Sequence, residues 1–275
     1  MATATLRREV ERLAQELRRR TAPPPPLLDD LCQDPALLMT RAGLPPDPWQ
    51  ARLLRTAPAR ILLLCSRQSG KSQTAAALAL RAALLEAPAL VLLLSPTQRQ
   101  SGELFRDKVK RLYSALGRPV AIVQESALTM ELANGSRIVS LPGDEETIRG
   151  FSGVAVLIVD EAARVPDALY YAVRPMLAVS QGRLVCLSTP WGKRGFFFET
   201  WHGTEPWERV RITAEQCPRI RAEFLAEERR ALGARWFRQE YETSFEDTID
   251  QLFSYEDVMA AHANDVRPLF VEARP

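Results

Sequence analysis

An α/β architecture, a mainly parallel sheet with helices on both faces, follows from three observations in this sequence. Apolar runs of strand length recur at Ile61–Cys65, Val154–Val159 and Leu184–Leu187, with helical sequence between them. They do not alternate with polar residues, so they read as strands buried on both faces. Each run also ends abruptly in polar residues, at the strand ends where open α/β sheets bind ligands.

Taken in order, Leu6–Arg20 is a charged helix with a thin apolar stripe of Leu6, Val10, Leu13 and Leu17. That spacing resembles a short coiled-coil seam, too short to be stable alone, which docks on a partner, docks on its own domain or frays. Pro23–Pro26 is a stiff, extended linker. Residues 27 to about 55 are helical and loop-rich and lead to Trp49-Gln50. The core then carries strands near 61–65, 90–95, 120–123, 137–141, 154–159 and 183–188, and helices over 71–86, 98–116 and 166–178. Asn134-Gly135 is a strong hairpin signal, so the sheet takes an antiparallel addition.

After about residue 200 the character changes. Arg219–Leu232 is a helix rich in Glu and Arg that ends at Gly233, and Ala234–Glu242 is another, with Trp236, Phe237 and Tyr241 for packing. This small helical subdomain is either a lid or a cap completing the core. The expected division is 1–26 helix and linker, 27–200 core and 201–275 helical lid or linker.

Composition excludes several classes. The chain has 275 residues and 46% hydrophobic content, enough for one sizeable core. A net charge of +2 leaves no global nucleic-acid footprint. Cys32, Cys65, Cys186 and Cys217 lack paired spacing, and with only His202 and His262 a zinc site is not expected. A charged N-terminus and short apolar runs argue for a soluble, intracellular protein with no membrane segment.

Three segments carry the chemistry. Cys65-Ser-Arg-Gln-Ser-Gly-Lys-Ser72 joins a buried strand to an Ala-rich helix, and its amides would converge on a polyphosphate at the helix N-terminus. Ser66, Arg67, Gln68, Ser69 and Gly70 form the cradle, Lys71 reaches the β/γ-phosphates and the Ser72 hydroxyl sits on Mg²⁺. Cys65 stands where the usual pattern has its first Gly. In Val156-Leu-Ile-Val-Asp-Glu-Ala162, two adjacent carboxylates end a buried strand, which is costly without a cation or work to do. Asp160 holds Mg²⁺ directly or through water, and Glu161 polarises the attacking water. In Leu187-Ser-Thr-Pro190, Ser188 or Thr189 lies beside the γ-phosphate and reports its loss. The set predicts a P-loop NTPase fold of the ASCE/RecA-like kind, using ATP and Mg²⁺.

As an ordered set these segments resemble the ATPase domain of phage large terminase subunits. Carrying the resemblance are Arg67 inside the loop, the missing first Gly, Asp160-Glu161-Ala162, and Ser188-Thr-Pro190 with Gly192 close behind. Pro48-Trp49-Gln50, Asn134-Gly-Ser-Arg-Ile138, Arg149-Gly150 and Trp191–Phe198 add to it, across about residues 45 to 250. The resemblance implies a motor that drives double-stranded DNA into a procapsid in the bacterial host cytoplasm. The implied partners are the portal protein, the small terminase subunit and further copies in a ring. It makes Trp49 and Gln50 an adenine-binding element, and gives Arg67 a catalytic role on phosphate or in orienting Glu161. It also puts a trans-acting finger on the 98–116 helix, Arg106 first, with Arg99 and Lys108 as alternatives.

The family's usual nuclease domain needs carboxylates brought together on strands. Asp247, Asp250, Asp257 and Asp265 lack such strands, so no nuclease activity is expected from this polypeptide. The alternative readings are a helicase-like or other DNA-remodelling ATPase, which Asp160-Glu-Ala-Ala163 also resembles, and an inactive prophage remnant that only binds nucleotide.

Overall fold

The computed structural model describes residues 26–141, 150–247, 253 and 255–261. The N-terminal stripe, most of the proline linker and Arg149 lie outside these residues.

Three short helices come first: α1 (Pro26–Gln33), α2 (Leu37–Arg41) and α3 (Pro48–Thr56). Pro48 sits in the first turn of α3, where a missing N–H costs nothing. The core follows with β1 (Arg60–Cys65), α4 (Lys71–Leu85) and β2 (Leu90–Leu94). Next come α5 (Gln98–Glu103), a π-helical stretch over Leu104–Lys110, and α6 (Arg111–Ala115). The strands β3 (Ile122–Glu125), β4 (Thr129–Leu132) and β5 (Arg137–Ser140) lead to β6 (Val154–Asp160). A 3₁₀ turn at Ala162–Arg164, α7 (Asp167–Val173), β7 (Arg183–Ser188), α8 (Gly195–His202) and β8 (Glu208–Ile212) follow. The described chain ends with α9 (Ala222–Glu240) and α10 (Tyr255–Ala261).

The eight strands among the described residues form one sheet, in the order β3-β4-β5-β2-β6-β7-β1-β8. From β5 to β8 every neighbouring pair is parallel, whereas β3-β4 and β4-β5 are antiparallel. The expected hairpin thus forms, with Gly135 at φ 84° in its turn.

Alternate side chains of each strand feed two cores. Ile61, Leu63, Val91, Leu93, Val156, Ile158, Val185 and Leu187 pack with α4 and the 98–115 helices. Leu62, Leu64, Leu92, Leu94, Leu157, Val159 and Leu184 pack with α7 and α8. α4 is buried almost all round, and its alanines let neighbouring layers approach closely.

Two differences from the sequence reading have physical causes. The 98–116 helix widens to π geometry over Leu104–Lys110, which no local composition signals. β8 extends the sheet beyond residue 200, so the core does not stop there. Its sequence, Glu208-Arg-Val-Arg-Ile212, alternates as an edge strand does and lacks the apolar run that marks the buried strands. The expected break at Gly233 is present, since its backbone at φ 74° and ψ 163° is non-helical and divides α9 in two. α9 and the segment before it have their own small core of Ala214, Leu225, Phe237 and Tyr241.

Candidate functional site

The order β6-β7-β1 decides the site, because parallel pairing puts the ends of all three strands on one edge. Asp160 pairs in register with Leu187, and Ser188 with Leu64. The Ser-Thr-Pro turn therefore lies between the phosphate loop and the acidic pair.

The loop is held from several sides. The Ser66 amide donates to Ile212 O at 2.9 Å and the Arg67 amide to Glu240 O at 3.1 Å. Ser69 Oγ donates to Ser66 O at 2.8 Å, closing the turn. Gln68 and Gly70 take positive φ values of 60° and 92°. A Cβ on Gly70 would come within 2.9 Å of Gln50 Nε2, so only glycine fits there without a shift. Cys65, at the position of the missing glycine, is buried with its thiol pushed up to about 12 by desolvation, and is chemically inert.

Lys71 opens α4 and reaches across to the acidic strand, where its Nζ lies 3.1 Å from Glu161 Oε1. Asp160 is buried, and its carboxyl is pushed up to about 6, first by desolvation and then by the adjacent Glu161. Lys71 and a hydrogen bond from Ser72 act in the opposite direction. Glu161 sits in the left-handed region at φ 50° and ψ 42°, a conformation costing a non-glycine residue about 1–2 kcal/mol.

These observations fit a Mg²⁺–nucleotide. A buried carboxylate whose charged form lacks full compensation, beside a hydroxyl at a helix N-terminus, is a hard-oxygen donor set. Ser72 and Asp160 would hold the metal, with phosphate oxygens and water completing its shell. Among the described residues no group of three or more His, Cys, Asp or Glu side chains could hold a metal by itself.

Other predicted residues fall in informative places. Ser188 and Thr189 are both buried, and Ser188 Oγ has no hydrogen-bond partner among the described residues. Arg67 is ion-paired through Nε to the buried Glu240 of α9. Gln50 is buried and uses both ends of its amide: Asp47 N donates to Oε1 at 2.8 Å, and Nε2 donates to Thr74 Oγ1 at 2.8 Å. Trp49 packs half-buried against the core. Arg106, Arg99 and Lys108 are exposed on one helical segment; Arg106 pairs with Asp107 and Arg99 with Glu103. Asp247 is 3.4 Å from Lys193, whereas Asp250 and Asp265 lie outside the described residues.

Three participants escape sequence reasoning. Arg219 forks onto Asp47 at 2.8 and 2.7 Å and donates to Ser69 O at 3.2 Å, tying the segment before α9 to the loop. A cleft of about 610 Å³ opens beside the loop, lined by Arg67, Gln68, Arg219, Arg221, Phe224 and Tyr241. Neither Trp49 nor Gln50 lines it. Ser95 follows β2, next to Asp160 in the sheet, and its buried hydroxyl has no partner among the described residues. Only Ser95 carried a signal, a hydroxyl ending an apolar strand as Ser188 does.

Comparison with known proteins bears on the family and the fold. The family model described as "Terminase large subunit, T4likevirus-type, N-terminal" matches residues 62–259. The large terminase subunits of Thermus phage G20c and Thermus virus P23-45 are each 25% identical over 253 residues, covering 79% of this chain and 52% of the relative. The chain thus spans about half the length of the curated relatives it matches. Among solved structures, the large terminase ATPase domain of Thermus phage P74-26 superposes with a TM-score of 0.66 at 22% identity, over 76% of this chain and 97% of that one. The large terminase of another thermophilic bacteriophage, in complex with ATP-γ-S, gives 0.56 at 12% identity, over 76% and 52%. The fold is that of the terminase ATPase domains, a P-loop fold.

Proposed function

The chain belongs to the terminase large-subunit family, and from that membership we propose that it hydrolyses ATP to drive double-stranded DNA into a phage procapsid. The observation that carries this reading is the Lys71–Glu161 contact at 3.1 Å. It brings the cation of the phosphate loop and the carboxylate of the acidic strand to one point, with Asp160 and Ser72 beside them.

In this reading the loop amides and Lys71 bind the β- and γ-phosphates, and Ser72 and Asp160 hold Mg²⁺. The metal, when bound, neutralises charge developing on the phosphate oxygens. Glu161 gives up Lys71 to the phosphates and accepts the proton of the attacking water. Arg67 exchanges Glu240 for phosphate, so nucleotide binding is felt directly by α9. Ser188 and Thr189 sense loss of the γ-phosphate from between the two strands. The base lies in the cleft beside Phe224 and Tyr241, rather than on Trp49 or Gln50. Arg106, exposed on its helix, serves a neighbouring subunit as the finger.

The working assembly in this proposal is a ring on the portal protein, supplied by the small terminase subunit, in the cytoplasm of a bacterial host. The helicase-like alternative is not favoured, since the family match runs through the lid region to residue 259.

The test is ATP turnover by the purified chain, with and without linear double-stranded DNA, with Glu161→Gln as the blank. Turnover that requires Glu161 and rises with DNA supports the motor. Nucleotide binding with no turnover supports the remnant reading. No binding at all refutes the assignment of the loop.

A further inference from the structure

Two loops leave the sheet at the site edge, one after β6 and one after β7, and they are fastened to each other twice. On the first, Asp160 and Glu161 are followed by the 3₁₀ turn Ala162–Arg164, in which the Arg164 amide donates to Glu161 O at 2.8 Å. The Arg164 guanidinium lies over the ring of Trp191, 3.8 Å from its centroid. Trp191 comes directly after Ser188-Thr-Pro190. The second fastening is Asp167 Oδ1, which accepts from the Phe196 amide at 2.8 Å. Gly195, at φ 80°, is needed there, since a Cβ would come 3.2 Å from that oxygen. Phe196 in turn stacks on Tyr170 with centroids 3.7 Å apart, rooting the second fastening in the core.

The first fastening is of a different kind. Arg164 and Trp191 are both half-buried and line an open cleft of about 460 Å³ with Val165, Asp167, Arg194 and Gly195. Arg164 has no carboxylate partner among the described residues, so its orientation rests on the indole face, where a cation is held by the ring quadrupole. Glu161 meanwhile occupies the left-handed backbone region, a state that persists only when its surroundings over-determine it. The Glu161 amide donates to Asp160 Oδ1 at 3.0 Å on one side, and the turn ending in Arg164 constrains it from the other.

We propose that Arg164 and Trp191 are positioning residues. Their stacked pair holds Glu161 in its left-handed conformation, facing Lys71, and transmits movement of the Ser188-Thr189 turn to Glu161. Neither touches nucleotide. Loss of the γ-phosphate shifts the β7 turn, Trp191 moves with it, and Arg164 carries Glu161 out of line. The inference rests on the ATPase reading above and names how its sensor is coupled to its base.

The experiment compares Arg164→Ala, Trp191→Leu, the double variant, and the conservative changes Arg164→Lys and Trp191→Tyr, in the full chain. Three readouts are taken: kcat for ATP, affinity for ATP-γ-S, and hydrogen exchange of the 161–165 segment without nucleotide. The expected result is a fall in kcat of about tenfold to hundredfold in each disruptive single variant, as for a catalytic group slightly misplaced. Affinity stays within about twofold, because ground-state binding is untouched. The double variant is no worse than the worse single, since both remove one contact. Exchange at 161–165 rises in the disruptive variants, and the conservative changes restore much of kcat.

Unchanged kcat, additive losses, or conservative variants as impaired as the disruptive ones would overturn the proposal while leaving the ATPase reading intact. So would a loss of affinity matching the loss of kcat. If the unaltered chain shows no Glu161-dependent turnover, the ATPase reading itself fails and takes this inference with it. Should a disruptive variant not fold, the conservative pair and the exchange measurement still decide.

Discussion

Replacing Gln50 by leucine separates a residue that reads the base from one that braces the phosphate loop. The side chain is 2% exposed, so its hydrogen bonds are made away from water. Leucine keeps most of the volume but removes the acceptor for Asp47 N at 2.8 Å and the donor to Thr74 Oγ1 at 2.8 Å. The Thr74 hydroxyl and amide still reach Gly70 O at 3.1 and 3.0 Å, so that carbonyl is not orphaned. The Asp47 amide is, and its desolvation without a partner costs about 1–3 kcal/mol. The two shorter lost hydrogen bonds bring about 1 kcal/mol each, the long one from Nε2 to Gly70 O at 3.4 Å adds less, and the added apolar contact of leucine offsets part of the sum. The expected destabilisation of the nucleotide-free chain is therefore about 2–4 kcal/mol. Equilibrium urea unfolding followed by far-ultraviolet circular dichroism measures it, as a lower midpoint with an unchanged slope. Stability within about 0.5 kcal/mol of the unaltered chain, the usual range of an inconsequential surface change, together with loss of preference for ATP over GTP, would refute the bracing role.

Four further outcomes follow from the site. Lys71→Ala is expected to weaken ATP binding by about tenfold or more, as loss of a charge-assisted contact; an unchanged dissociation constant in equilibrium titration would remove Lys71 from the site. Glu240→Gln takes away the carboxylate that competes with phosphate for Arg67, so ATP-γ-S is expected to bind several-fold more tightly, and weaker binding in calorimetry would show that the pair preorganises the loop instead. Phe224→Ala should cost ATP about 1 kcal/mol of stacking while leaving tripolyphosphate affinity unchanged; equal losses for both ligands would move the base elsewhere. Arg106→Ala subunits should regain turnover when mixed with Lys71→Ala subunits, and mixed assemblies that stay inactive would rule out a finger acting in trans.

The sequence by itself determined what the local chain dictates. Buried parallel strands need uninterrupted apolar residues, so β1, β2, β6 and β7 are legible as runs. The loop is legible because a strand, a glycine and Lys71-Ser72 come in fixed order, and Asn134-Gly135 is legible because few residues accept that turn. Gly233 announced the break in the last long helix for the same reason. Charged β8 carried no such mark, and the π-helical widening over Leu104–Lys110 is a matter of packing rather than of composition.

Only the tertiary structure decided how the pieces meet. The strand order placed Ser188 between Cys65 and Asp160, residues more than 90 positions apart in the chain. It turned Gln50 inward, because its amide completes the first turn of α3 and the start of α4 at once. It brought Glu240 to Arg67, Arg219 to Asp47 and Trp191 to Arg164, pairings with no local pattern, since each joins side chains from different elements. The physical reason is separation in range. Strand, turn and helix preferences act over a few residues, whereas burial, charge compensation and backbone strain depend on neighbours that only the folded sheet supplies.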